Sequence, residues 1–110
     1  MNKLILAILL TVVSFSSSAN FESVWEKSVG WTIVETKVID SFEHKGGRVE
    51  SAFQGCEVGR VINFRDGRAA TCNSNGYQYA YAPTAIILSK TVGGSTVYRM
   101  IVKDQLYDIL

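Results

Sequence analysis

Residues 84–103, TAIILSKTVGGSTVYRMIVK, decide how this chain folds. Two apolar runs rich in β-branched residues flank Gly93-Gly94, and a two-glycine loop between such runs predicts a tight antiparallel hairpin. That loop places Ile87 opposite Met100. Because both arms are continuously apolar in part, we expect this hairpin to lie centrally in a sheet.

Another hairpin is predicted earlier in the chain. Residues 58–64 and 68–72 are strand candidates, and the Asp-Gly pair between them suits a two-residue type I′ loop. With that loop, Ile62 lies opposite Thr71. The two hairpins together indicate an antiparallel sheet.

The rest of the chain predicts one helix and further strands. Residues 20–30 carry apolar side chains at helical spacing and end on a glycine, which is typical of a short helix. Residues 31–42 are rich in β-branched side chains and predict a strand, 48–53 predict a weaker one, and 104–110 predict an edge strand or a frayed end. We therefore expect a single α+β domain, in which a short N-terminal helix packs on an antiparallel sheet of five to seven strands that can curl into a small barrel.

Residues 1–19 have the layout of a bacterial secretory signal peptide. Lys3 supplies a positive charge, residues 4–15 are mostly apolar, and small residues precede Asn20. The apolar run is shorter than the ~20 residues needed to cross a bilayer, which favours cleavage over a retained membrane anchor. We expect residues 20–110 to form a single mature domain without a transmembrane segment, either periplasmic or secreted.

Charge and composition exclude several classes of function. The 110-residue chain has eleven basic and ten acidic residues, one histidine and two cysteines. Because Lys3 lies in the leader, the mature domain is formally neutral, which excludes a strongly basic nucleic-acid binder. One histidine and two cysteines cannot make the usual four-ligand zinc site. We therefore expect no metal, no cofactor and no nucleic-acid partner.

Cys56 and Cys72 both lie in the expected mature domain. An exported protein meets an oxidising compartment, so one structural disulfide is expected. It closes a loop of about 15 residues and contributes on the order of 3 kcal/mol in the chain-entropy model. A redox-active pair usually has closer spacing, such as C-x-x-C, so we favour the structural role.

Three tyrosines alternate with smaller or amide side chains in Tyr77-Gln78-Tyr79-Ala80-Tyr81. On a strand, this alternation places the three rings on one face. An exposed face of this kind can stack on sugar rings or contact a protein partner. Aromatic strand residues also commonly cover a core, with their hydroxyls at its rim. The exposure of the rings decides between these two interpretations.

Three arginines, Arg60, Arg65 and Arg68, lie around the predicted Asp-Gly loop. That loop places Arg65 opposite Arg68, and like charges facing each other are mildly unfavourable. An anionic ligand could relieve the repulsion, which makes the three arginines candidates for binding. The alternative is a solvated face that Asp66 or Glu57 neutralises.

The sequence offers little catalytic chemistry. His44 belongs to a turn predicted by Gly46-Gly47, where an exposed surface histidine is expected. There is no nucleophile elbow, P-loop, dinucleotide fingerprint or H-E-x-x-H motif. No catalytic residue is therefore assigned, although an acid within hydrogen-bond reach of His44 in a pocket would favour a small enzyme.

A spaced pattern runs through residues 55–88: a G-C, an I-x-F hairpin, a second C, and a Y-x-Y-A-Y-x-P run. Its positions are Gly55, Cys56, Ile62, Phe64, Cys72, Tyr77, Tyr79, Ala80, Tyr81 and Pro83. In this pattern the chain resembles a family of small, exported bacterial proteins of unknown function. The resemblance implies paired cysteines and a single domain, and it carries no activity.

The low number of reactive side chains, together with the tyrosines, favours binding over catalysis. We expect an exported, non-enzymatic domain that recognises a protein or a cell-envelope component such as a glycan. One alternative is a small inhibitor of a secreted hydrolase. Another is a small periplasmic enzyme that uses carboxylates with His44.

Overall fold

A computed structural model describes residues 19–110 of the chain. The predicted signal peptide, apart from its last residue, lies outside the described residues. In chain order the elements are α1 (Ala19–Glu26), β1 (Thr32–Glu43), β2 (Val49–Glu50), β3 (Val61–Phe64), β4 (Ala69–Thr71), β5 (Thr84–Val92), β6 (Ser95–Val102) and β7 (Gln105–Ile109).

The seven strands form one antiparallel sheet in the order β4-β3-β1-β5-β6-β7, with β2 also paired to β1. The first half of β1 pairs with β5 and its second half with β3. A register shift between Ile39 and Ser41 interrupts the second ladder, and such irregularities bend a strand. The sheet curls into a half-barrel, and Cys72 at the end of β4 bridges Ile109 of β7. The predicted antiparallel sheet is therefore confirmed.

The central hairpin, β5–β6, has the predicted register. Ile87 pairs with Met100, and β5 lies between β1 and β6 inside the sheet. Both loop residues have positive φ, 58° at Gly93 and 86° at Gly94. Two positive φ angles are what a type I′ loop requires, so the two glycines fix the pairing of the longest hairpin.

The β3–β4 hairpin differs from the prediction by one residue. Ile62 pairs with Ala70 instead of Thr71. The amide of Phe64 donates to the Arg68 carbonyl at 2.8 Å, so residues 65–67 make a three-residue loop. Only the last residue of that loop, a glycine, has positive φ, whereas a type I′ loop needs two such residues. The backbone therefore adopts a longer turn, and the predicted pairing is wrong.

The predicted helix over residues 20–30 is not confirmed. α1 has eight residues and ends at Glu26, and a turn follows it, so the described chain contains almost no helix. The hydroxyl of Ser28 donates to the Val24 carbonyl at 2.8 Å within this stretch. Helices of so few residues are marginal on their own, because nucleation is costly. Val24 nevertheless is buried in a small cluster with Leu88 and Ile101.

The main core fills the inside of the half-barrel. Its largest fully buried side chains include Ile39, Phe42, Phe53, Ile62, Met100 and Tyr107. The Cys56–Cys72 disulfide lies within this core, and its Cα atoms are 5.6 Å apart. The predicted disulfide is confirmed, and it joins two segments outside the regular strands.

Candidate binding surface

The tyrosines are exposed on one side of the segment between β4 and β5. Tyr77, Tyr79 and Tyr81 are 72%, 62% and 77% exposed, whereas Gln78 and Ala80 between them are 9% and 5% exposed. The alternation therefore holds, and the rings do not cover the core. We call the segment 77–81, which carries these three side chains, the tyrosine row.

The row is not part of a continuous strand, contrary to the sequence-based expectation. Between β4 and β5 the chain makes only isolated bridges to its neighbours. One of these joins Ala80 to Phe53, with backbone hydrogen bonds of 2.9 and 3.0 Å. Another joins Gly76 to Cys56, with bonds of 2.8 and 2.9 Å. The backbone of the row is thus fixed at two points, four residues apart.

Gly55 allows the closer of these contacts. Its φ is +84°, a region that favours glycine, and a Cβ atom here would lie 2.0 Å from the Gly76 carbonyl oxygen. The adjacent Cys56 is held by the disulfide to Cys72. A glycine and a disulfide side by side therefore bring the start of the tyrosine row against the half-barrel.

Gln78 anchors the middle of the row. Its amide nitrogen donates to the Val102 carbonyl at 2.9 Å, and its amide oxygen accepts a 2.7 Å hydrogen bond from the Tyr107 hydroxyl. Burial raises the pKa of Tyr107, so that hydroxyl keeps its proton and continues to donate. These hydrogen bonds were not predicted from the sequence. The alternation of residues 77–81 does indicate that Gln78 points inward if the tyrosines point outward.

Arg60, a candidate binding residue from the sequence, is largely buried in the structure. Its side chain is only 11% exposed, and its guanidinium lies 4.5 Å from the centre of the Phe42 ring. It donates to the carbonyls of Gln54 and Gly55 at 3.3 and 3.0 Å. Arg60 therefore holds the loop that supports the start of the tyrosine row.

Arg65 and Arg68 are exposed at the other end of β3 from Arg60, so the three arginines are not brought together. The three-residue loop also removes the predicted face-to-face pairing of Arg65 and Arg68. Asp66, between them, accepts a hydrogen bond from Lys37 on β1. The proposed repulsion between Arg65 and Arg68, which an anion would relieve, therefore has no geometric support.

His44 has an acidic neighbour that sequence reasoning did not assign. Its Nε2 bonds the carboxylate of Glu50, and that hydrogen bond lowers the pKa of Glu50. A guanidinium nitrogen of Arg48 lies 3.3 Å from the same Nε2. The side chain of His44 is 26% exposed, so it is half-buried and not a free surface histidine.

Two cavities of the described structure lie elsewhere. One, of about 750 Å³, is bordered by Lys27, Asp104 and Leu106, and the other, of about 430 Å³, by Trp31 and Val97. His44 lines neither of them. The acid–histidine pair therefore lies outside both of these cavities.

Three further findings bear on the class of site. Within residues 19–110, no three His, Cys, Asp or Glu side chains are grouped so that they could hold a metal ion. No helix in that range has both the length and the apolar character needed to cross a membrane. Comparison with known protein families, curated proteins and solved structures finds no match for this chain.

Proposed function

We propose that this chain is an exported, non-enzymatic binding domain that recognises a protein or a cell-envelope component through the tyrosine row. The observation that carries the proposal is the exposure of all three rings, between 62% and 77%, on a backbone hydrogen-bonded to the rest of the fold at Gly76 and Ala80. Exposed aromatic surface of this kind marks interaction sites, because it costs solvation free energy until a partner covers it.

The tethered backbone supports binding energetically. Binding loses free energy when mobile loops must be ordered, and this loss is smaller for a segment that is already fixed. Tyrosine adds contact area with only two rotatable side-chain torsions and a hydroxyl for hydrogen bonding. The tyrosine row therefore offers a contact surface whose ordering cost is largely met before the partner arrives.

Export is proposed on two grounds. The apolar run at residues 4–15, followed by small residues, has the layout of a signal peptide. Disulfides such as Cys56–Cys72 persist in oxidising compartments and are rare in the bacterial cytosol. A periplasmic or secreted protein satisfies both observations.

Affinity capture from a cell-envelope extract tests the proposal. The bait is the purified disulfide-bonded protein, compared with a triple variant in which Tyr77, Tyr79 and Tyr81 are replaced by serine. The matched control is Tyr98→Ser, because Tyr98 is also exposed, at 41%, but lies on β6. We expect the original protein and the control to retain the same component and the triple variant to lose it. Equal retention by the triple variant would contradict the proposal.

A small hydrolase inhibitor is a specific form of the protein-binding proposal. Small disulfide-stapled domains can be rigid enough for this role. Its measurement is the residual activity of secreted hydrolases in the presence of the protein. We expect inhibition to disappear in the triple tyrosine variant if the row is the inhibitory surface.

The second candidate is a small enzyme, and the contact between His44 and Glu50 favours it. A histidine beside a carboxylate can act as a general base. Glu50→Gln keeps the shape of the side chain and removes its charge. If the rate of hydrolysis of an envelope substrate falls at least about a hundredfold in this variant, the result would support catalysis, because general bases typically accelerate reactions by about that factor or more.

A further inference from the structure

We propose that the ligand of the tyrosine row is an uncharged, linear glycan chain. This inference rests on the proposed function of the row as a binding surface. It concerns the chemistry of the ligand, which we argue from the charge, the length and the exposed side chains of the row.

The segment that carries the row has no charge. Residues 69–89 contain no Asp, Glu, Lys, Arg or His. The side chains that hydrogen-bond the row from β7 are also uncharged: Gln105 donates to the Tyr77 carbonyl at 3.3 Å, and Tyr107 donates to Gln78. Ligands with a phosphate, sulfate or carboxylate on each unit normally meet arginine or lysine, which make charge-assisted hydrogen bonds. The absence of such groups from this segment fits a neutral ligand.

The row is also longer than one sugar ring. A fully extended chain advances about 3.3 Å per residue, so the backbone from Tyr77 to Tyr81 spans up to roughly 13 Å. A single monosaccharide cannot reach from the first ring to the last. A chain of several sugars can contact all three, and each additional contact is then made at high effective concentration.

The exposed tyrosines offer the contacts that a glycan uses. Gln78 and Ala80 turn inward, so Tyr77, Tyr79 and Tyr81 are exposed on the same side of the segment, and none of the three lines either of the two cavities described above. Exposed tyrosine rings can stack on the C–H faces of successive pyranoses, and the tyrosine hydroxyls can bond sugar hydroxyls.

Calorimetric titration of the disulfide-bonded protein tests this inference. The probes are N-acetylglucosamine oligomers and cello-oligosaccharides of one to six units, with polygalacturonate as an anionic comparison. We expect affinity for one neutral series to rise with chain length until the row is covered. Because no charge is involved, we expect that affinity to be unchanged between low and high salt.

Variants locate the binding. Tyr79→Ala is expected to weaken binding about three- to tenfold, as for loss of one aromatic contact, whereas Tyr79→Phe, which keeps the ring, stays within about twofold. Tyr98→Ala is expected to have no effect, since its ring lies on β6. The unfolding midpoint of each variant is measured alongside, so that a loss of folded protein is not read as a loss of binding.

The remaining outcomes overturn the inference in distinguishable ways. Salt-sensitive binding to polygalacturonate alone overturns the neutral ligand and leaves the tyrosine row as a binding surface. Tyrosine-dependent capture of an envelope protein, with no binding to either neutral series, overturns the glycan and leaves the proposed function. Glycan binding that survives in the triple tyrosine variant, or no tyrosine-dependent binding of any kind, overturns both.

Discussion

Gly55 is the residue that lets the tyrosine row lie against the half-barrel. Its positive φ and the 2.0 Å approach of a hypothetical Cβ to the Gly76 oxygen act together. Gly47 also has positive φ, +90°, but nothing lies within 4 Å of its Cβ position. Substitutions at the two positions therefore distinguish the free-energy cost of backbone strain, which both share, from that of a steric clash, which occurs only at Gly55.

We predict that Gly55→Ala lowers the free energy of unfolding far more than Gly47→Ala. The strain at positive φ alone costs about 1–2 kcal/mol, and only Gly55→Ala adds a backbone clash. Urea unfolding of both variants measures the difference. Equal losses in the two variants would show that the close approach at Gly76 does not exist.

A second residue-scale prediction concerns Asp66, whose pKa is lowered mainly by its hydrogen bond from Lys37. A carboxyl with a lowered folded pKa stabilises the protein above its unfolded pKa of about 3.9 and loses this contribution as pH falls through the folded value. We therefore expect Asp66→Asn to lower the thermal midpoint at pH 7, and the difference from the original protein to shrink near pH 3.

The control for this pH experiment is Asp40→Asn, because Asp40 is exposed on the same strand as Lys37. It is expected to show little difference at either pH. A deficit of Asp66→Asn that is as large at pH 3 as at pH 7 would mean that the ion pair is not its cause.

At the scale of elements, the two hairpins show what the sequence can predict. Gly93-Gly94 supplies two residues that accept positive φ, so loop type and register followed from the sequence. In the other hairpin the residue before Gly67 is Asp66, which keeps negative φ, and the register shifted by one. The number of residues in a hairpin loop depends on which residues adopt positive φ. The Asp-Gly pair does not decide whether the aspartate does so.

The tyrosine row was predictable in part. Alternation predicted which side chains share a face. Which face is exposed depends on the contacts of the inward side chains, and here Gln78 hydrogen-bonds Val102 and Tyr107. The placement of the three arginines could not be predicted for a related reason. Arg60 and Arg65 flank one short strand, and nearness in sequence does not place them at the same end of it.

The disulfide carries an element-scale prediction. It holds Cys56, whose backbone pairs with Gly76 at the start of the tyrosine row. We predict that the double variant Cys56→Ser, Cys72→Ser loses about 2–4 kcal/mol of unfolding free energy. In hydrogen exchange, the amide of Gly76 should lose more protection than that of Met100 in the central hairpin. Uniform loss of protection would mean that the bridge supports the whole fold rather than this segment.

At the scale of the whole molecule, the half-barrel acts as a support for an uncharged aromatic row. Its core is closed by β7, whose Ile109 bridges Cys72, the disulfide partner of Cys56. The chain from Cys56 to the tyrosine row is therefore linked to the last strand through the disulfide. The fold brings together residues that keep the rings outward and the backbone fixed, which is the arrangement a binding surface needs.

The most direct test of this account measures stability and binding on the same triple variant, with Tyr77, Tyr79 and Tyr81 replaced by serine. Exposed side chains contribute little to folding, so we predict a change in unfolding free energy within about 0.5 kcal/mol per site and the loss of envelope-component binding. A variant that unfolds much more easily, yet still binds when folded, would contradict the account, because the rings would then serve the fold and not the partner.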